Sequence, residues 1–241
     1  NGGGASNSIG GSGGPTRKFP VIYCFDPSAR GAVPVARFKE AAEKYEYIVV
    51  GSNNSRNGPQ QLSEIVRDLW EDTHARFSID DQRVYLAGFS GGARVAISVA
   101  FWLKDRIAGV IACGGGFPPD VPTSSARSFV LFAIAGTEDF NNPELQSLVR
   151  KLEGSTPPAR LAVFEGGHAW LPLQLATDAV EWFEVQAMKS GIRDRNPALI
   201  NGIFEHALSQ ALAAEAGGDR SRGHRRYAAM AQDFSGLHDV V

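Results

Sequence analysis

The stretch Arg83-Val84-Tyr85-Leu86-Ala87-Gly88-Phe89-Ser90-Gly91-Gly92-Ala93-Arg94-Val95-Ala96 reads as an apolar strand that passes through a glycine-flanked serine into a helix. A serine hydroxyl is a poor nucleophile at neutral pH, so a chain that uses one holds it on a tight, exposed turn, beside a base and near amides that can receive an oxyanion. Gly88 and Gly92 lack the Cβ that would clash where strand and helix backbones approach, and Gly91 leaves its N–H unobstructed at the helix N-terminus. G-x-S-x-G by itself is a common glycine-rich turn. The strand before it and the helix after it supply the context of a nucleophile elbow.

Outward from this centre, strand-like and helix-like segments alternate. Phe19 to Phe25, Tyr47 to Val50, Val84 to Ala87, Ala108 to Cys113, Phe129 to Ala135 and Arg160 to Phe164 read as strands. Val35 to Tyr45, Gln60 to Phe77, Gly91 to about Lys104, Pro143 to Leu152 and Leu173 to Lys189 read as helices, the second with Leu62, Ile65, Val66, Leu69 and Trp70 at helical spacing. Six strands with helical connections predict an α/β fold, a doubly wound, mostly parallel sheet covered on both faces, over residues 18–191. In such sheets functional groups collect at the carboxyl ends of the strands.

Residues 1–17 begin without Met and are almost wholly Gly, Ser, Asn and Ala as far as Gly14, the composition of a flexible linker. They read either as the mature end of an exported protein, which favours a location outside the cytoplasm, or as a boundary introduced for expression. Residues 192–241 form a C-terminal extension. There, Ala198 to Ala216 and His224 to Leu237 read as two Ala-rich amphipathic helices, loosely similar to one tetratricopeptide unit. One such unit cannot bury its own core, so the pair must pack on the α/β domain, on another protein chain or on further repeats. Arg220, Arg222, Arg225 and Arg226 read as a solvated turn between the helices.

A net charge of −2 carries no electrostatic footprint for nucleic acid or an anionic membrane. No apolar run reaches the roughly 20 residues that cross a bilayer. Cys24 and Cys113 have no C-x-x-C partner and fall near the ends of core strands, which predicts buried free thiols rather than zinc or thioredoxin chemistry. No glycine-rich phosphate loop, metal cluster or nucleotide fingerprint is present, so neither cofactor nor metal is expected.

After Ser90 the next strand-end acid is Asp139, in Gly136-Thr137-Glu138-Asp139-Phe140; the following strand ends in Phe164-Glu165-Gly166-Gly167-His168-Ala169-Trp170. Each of Ser90, Asp139 and His168 falls just after a separate strand, in an order unlike those of the chymotrypsin and subtilisin families. On these motifs the chain resembles the α/β-hydrolase superfamily. It is most similar there to the small dienelactone-hydrolase, polyhydroxybutyrate-depolymerase and feruloyl-esterase-like enzymes without a large cap. The resemblance covers residues 18–191 and leaves out the C-terminal helices. It implies a serine hydrolase that cleaves carboxylic esters, small or polymeric, through an acyl-enzyme, with Ser90 as nucleophile, His168 as general base and then acid, and Asp139 as the orienting carboxylate. It prefers Asp139 to Glu138 because the family acid stands three places after the glycine. A helix N-cap before Pro143 is the rival reading of Asp139. Two other functions are compatible with the same residues: a serine peptidase of prolyl-oligopeptidase type, here without a propeller, and a degenerate scaffold that only binds.

One oxyanion donor is expected from the Gly91 N–H and the second from the loop Phe25-Asp26-Pro27-Ser28-Ala29-Arg30-Gly31. Pro27 has no N–H, which leaves Asp26 or Ser28, or the charge of Arg30. Two strands that usually precede the first one in this family are missing, so either the sheet is short at that edge or the chain was trimmed there; separately, the loop Gly114 to Ser125, where many such enzymes insert a cap, is brief. An open cleft lined by Phe89, Phe117, Phe140 and Trp170 is therefore expected.

Overall fold

Period-two alternation along buried strands sets the layers of the protein. In β1 (Phe19–Phe25), Val21, Tyr23 and Phe25 join one apolar cluster, while Ile22 and Cys24 join another on the opposite face. The computed structural model describes residues 17–58 and 60–238, without the side chains of Ser221 and Arg222. Apart from Arg17, the linker expected at 1–17 lies outside the described residues.

The remaining strands are β2 (Ile48–Ser52), β3 (Ile79–Phe89), β4 (Gly109–Cys113), β5 (Val130–Gly136) and β6 (Ala159–Phe164). All five neighbouring pairs are parallel, in the order β2-β1-β3-β4-β5-β6. Helices α1 (Ala32–Tyr45) and α5 (Leu173–Ser190) cover one face with Phe38, Ala41, Ala179, Val180 and Phe183. Helices α2 (Leu62–Arg76), α3 (Gly91–Leu103) and α4 (Asn142–Lys151) cover the other with Val66, Ala96, Ile97, Leu145 and Leu148. From β1 the chain winds outward to β2 and then returns to the far side of β1 as β3. Winding therefore reverses between β1 and β3, which opens a crevice at their carboxyl ends.

The starts of β3 and α1 depart from the sequence reading. β3 starts at Ile79 rather than Val84, since Ile79 pairs with Phe19 and a register shift absorbs the polar Asp80, Asp81 and Gln82. α1 starts at Ala32, because Pro34 sits in its first turn, where a missing N–H loses no helical bond. Both cysteines are buried and free, and burial pushes their thiols well up. Among the described residues no helix is long and apolar enough to cross a membrane.

Helices α6 (Pro197–Ala216) and α7 (Arg220–Phe234) pack on α5, with Ile200, Ile203, Met230 and Phe234 closing over Val185 and Met188. α7 begins at Arg220 rather than His224, so the basic cluster opens a helix instead of forming a turn; Arg226 there pairs with Asp178 of α5 at 3.9 Å. The side chain of Arg222 lies outside the described residues. The Asp233 carboxylate accepts from the Trp182 indole N–H at 2.8 Å and from Arg160 at 2.6 Å, which fastens α7 to α5 and β6. Between the layers, the fully buried Glu184 accepts from Tyr47 and is paired with Arg83 and Arg193. Phe234→Ala should lower the unfolding free energy by about 3–5 kcal/mol in denaturant titrations, because it empties the contact between α7 and α5. A change confined to a few tenths of that would mean that the C-terminal helices do not share the cooperative unit.

Candidate active site

Ser90 occupies the turn between β3 and α3 with φ 54° and ψ −120°, a conformation that a residue with a side chain rarely adopts. Its neighbours enforce that turn. A Cβ on Gly88 would lie 2.0 Å from the Gly92 carbonyl oxygen, and one on Gly92 would lie 2.0 Å from the Phe25 carbonyl oxygen. The backbones of β3, α3 and β1 thus meet closer than any side chain allows. The Ser90 N–H donates to the Cys113 carbonyl at 2.8 Å, which ties the elbow to the end of β4.

Asp139 follows β5 and His168 follows β6. The His168 Nδ1–H donates to Asp139 Oδ1 at 2.9 Å, and Ser90 Oγ lies 2.9 Å from His168 Nε2. A carboxylate can only accept, so an imidazole proton sits on Nδ1, and Nε2 faces the serine hydroxyl. Asp139 Oδ1 also accepts the Asn141 N–H at 2.8 Å, so orienting a ring and satisfying the start of α4 fall to one oxygen. Asp139 is buried, whereas Glu138 is exposed. Asp139 Oδ2 is buried and has no hydrogen-bond partner among the described residues. It lies against Gly114, at φ +59°, where a Cβ would come within 2.9 Å of Oδ2 and 3.0 Å of His168 Cε1. In the sequence Gly114 only opens the brief loop to Ser125; its contact with Asp139 and His168 comes from the fold and leaves no local signal.

Two aromatic rings flank the imidazole, Phe89 at 4.6 Å and Phe140 at 4.3 Å between centroids. Phe140 is 73 % exposed, while Phe89 and Trp170 are buried behind the histidine. Phe117 leaves the expected cleft lining. It packs edge-on against Phe101 under α3, and its carbonyl accepts from Arg94 at 2.7 Å.

The loop after β1 is organised around Asp26, which has no exposed surface. Its Oδ1 accepts from the Ser28 N–H at 2.9 Å and Arg30 Nε at 3.0 Å, and its Oδ2 accepts from the Trp170 indole N–H at 2.8 Å. Burial raises the carboxyl, but the Arg30, Trp170 and Ser28 donors and the Arg30 charge outweigh it and hold the group below the ordinary carboxylate range. The Ser28 N–H and the Arg30 guanidinium, both candidate oxyanion groups in the sequence, bond to Asp26. Asp26 itself braces the loop from below. Gly91 opens α3, so its N–H has no acceptor within the helix.

His74 stacks on Trp70 and His238 on Phe204, away from Ser90. Among the described residues one group has metal-ligating spacing, Asp178, Glu181 and His206, with ligand atoms within 4.8 Å of one another. It already has protein partners: His206 Nδ1 bonds Glu181 at 2.6 Å, Lys44 pairs with Glu181 at 3.2 Å, and Gln210 donates to Asp178 at 2.8 Å.

Residues 50–144 match the family described as Phospholipase/Carboxylesterase, a span that includes Ser90 and Asp139 and ends before His168. No curated protein matches the chain. Among solved structures it is similar to the S-formylglutathione hydrolase FrmB of Staphylococcus aureus, with a TM-score of 0.56 and 13 % identity over 69 % of this chain and 82 % of that one. The Bacillus cereus carboxylesterase gives 0.54 and 17 % over 69 % and 88 %. The feruloyl esterase module of Clostridium thermocellum gives 0.54 and 15 % over 69 % and 77 %. At these identities the likeness is one of fold.

Ser90→Gly releases backbone strain of about 1–3 kcal/mol, and calorimetry should show a higher thermal midpoint than wild type. A lower midpoint would mean that the elbow is unstrained. For Asp26, a lowered carboxyl contributes stability that is complete above the unfolded pKa and is lost as pH falls through the folded one. Trp170→Phe removes one donor, so the acid-unfolding midpoint followed by circular dichroism should move to higher pH, with a loss at neutral pH of about 1.5–3 kcal/mol.

Proposed function

We propose that this chain, which has the fold of the α/β-hydrolases, is a serine carboxylic-ester hydrolase that works through an acyl-enzyme. The observation that carries this reading is the unbroken hydrogen-bond chain from Ser90 Oγ through His168 to Asp139, with both links at 2.9 Å. In this mechanism His168 Nε2 takes the Ser90 proton as Oγ bonds to the acyl carbon, and returns it to the departing alcohol as the carbon–oxygen bond breaks. Water then repeats the sequence on the acyl-enzyme and releases the acid. Asp139 keeps the Nδ1 proton in place and stabilises the imidazolium.

Family and fold support the same class: a carboxylesterase, a feruloyl esterase and an S-formylglutathione hydrolase are all named for acyl cleavage. The exposed Phe140 ring beside His168 supports esters that bring an apolar or aromatic group to the leaving side of the site.

A fluorophosphonate should label wild type and not Ser90→Ala; equal labelling of both would remove Ser90 as nucleophile. With p-nitrophenyl esters graded by acyl length, Asp139→Asn should reduce turnover by about 10⁴ through the wrong imidazole tautomer. Feruloyl methyl ester and a peptidyl anilide belong in the same panel. Cleavage of the anilide in preference to every ester would replace the esterase reading with a peptidase.

A further inference from the structure

An oxyanion forming at the acyl carbon needs preorganised donors, and the Gly91 N–H is one. In the loop after β1 the N–H groups of Ser28, Ala29, Arg30 and Gly31 all have protein acceptors. Pro27 has no N–H. The Ser28 N–H goes to Asp26 Oδ1 at 2.9 Å, the Ala29 N–H to the Asp26 carbonyl at 3.1 Å, the Arg30 N–H to Asp26 Oδ1 at 3.4 Å, and the Gly31 N–H to Asn53 Oδ1 at 3.0 Å. The backbone of Asp26 is buried with the rest of that residue.

A side chain from another loop stands at the elbow instead. A Cβ on Gly91 would lie 1.8 Å from Asn57 Oδ1, 2.7 Å from Asn57 Cγ and 3.1 Å from Asn57 Nδ2. The Asn57 carboxamide thus occupies the space that a side chain at position 91 would enter, directly beside the residue after the serine. Its segment is pinned in place: the Asn57 N–H donates to the Pro27 carbonyl at 2.9 Å, and Ser28 bridges Arg56 in antiparallel fashion. Asn57 is exposed, so a substrate can reach it, and no hydrogen bond engages its amide among the described residues.

We propose that the Asn57 side-chain amide is the second oxyanion donor, standing in for the backbone N–H that Pro27 cannot supply. This rests on the ester-hydrolase reading. As Ser90 Oγ bonds to the acyl carbon, the carbonyl π pair moves onto oxygen; the Gly91 N–H and the Asn57 Nδ2–H donate to that oxygen, while the Ser90 proton passes to His168. Rotation of the carboxamide about its Cβ–Cγ bond selects which end faces the substrate. When the intermediate collapses, the pair returns to carbon, the carbonyl re-forms and the alcohol leaves with the proton.

The test compares wild type, Asn57→Ala and the isosteric Asn57→Asp on a p-nitrophenyl ester and on its thiono counterpart, in which sulfur replaces the carbonyl oxygen. Loss of one oxyanion donor should lower kcat on the oxo ester by about 10²–10³ with KM little changed. Asn57→Asp should be at least as impaired, since a carboxylate cannot donate and repels the oxyanion. Sulfur is a poor acceptor, so the thiono rate should fall much less and the oxo-to-thiono ratio should shrink in both variants. An unchanged kcat in Asn57→Ala, or equal losses on both esters, overturns the assignment while leaving an active wild type as an esterase. A wild type that neither turns over esters nor takes the fluorophosphonate on Ser90 fails at the earlier step and takes this assignment with it.

Discussion

The close approach of three backbones at Gly88, Gly92 and Phe25 governs the rest of the molecule. Because no Cβ separates them, α3 begins directly over the end of β3 and beside the end of β1, and Ser90 is forced into its unusual turn. The sheet makes this contact possible. Parallel strands buried on both faces bring all their carboxyl ends to one edge, where loops from β1, β3, β5 and β6 share a small space. The site therefore depends on sheet order more than on any one loop.

Strand alternation and the order of the serine, acid and histidine motifs are legible in the sequence because both are local: each needs only a few neighbouring residues to be recognised. Pairing between strands and the side-chain contacts at their ends are not local. Trp170 reaches Asp26 across 144 positions, and nothing near Asp26 announces that its carboxylate will collect the Ser28 N–H and the Arg30 charge. Phe117 misleads for a related reason. It follows β4 as a cleft residue would, yet Arg94 holds its carbonyl and Phe101 takes its ring. Asn57 lies in a polar stretch, Asn53-Asn54-Ser55-Arg56-Asn57-Gly58, that composition alone marks as loop. The start of α7 is hidden in the sequence because arginine-rich residues with a glycine, 220–223, have the composition of a turn.

The buried ionic groups play different parts. Asp26 is compensated by donors from its own loop and from the histidine loop, so it couples two segments that border Ser90. Glu184 and Asp233 belong to the opposite end of the architecture: the first joins α5 to the sheet and to the segment before α6, the second joins it to α7. Replacing such groups with apolar ones is often tolerated, whereas removing a single partner leaves an uncompensated charge.

Helix α5 is buried on two sides, with Val180 and Phe183 against the sheet and Val185 and Met188 under the last two helices. This arrangement has a consequence for biosynthesis. The sheet and its covering helices can assemble as soon as α5 emerges, but the outer apolar side of α5 stays bare until Phe234 has been made. At synthesis rates of about 5–20 residues per second that interval lasts seconds, far longer than collapse. During it the nascent chain displays a near-complete domain with one uncovered hydrophobic stripe, the surface on which a ribosome-associated chaperone would act first.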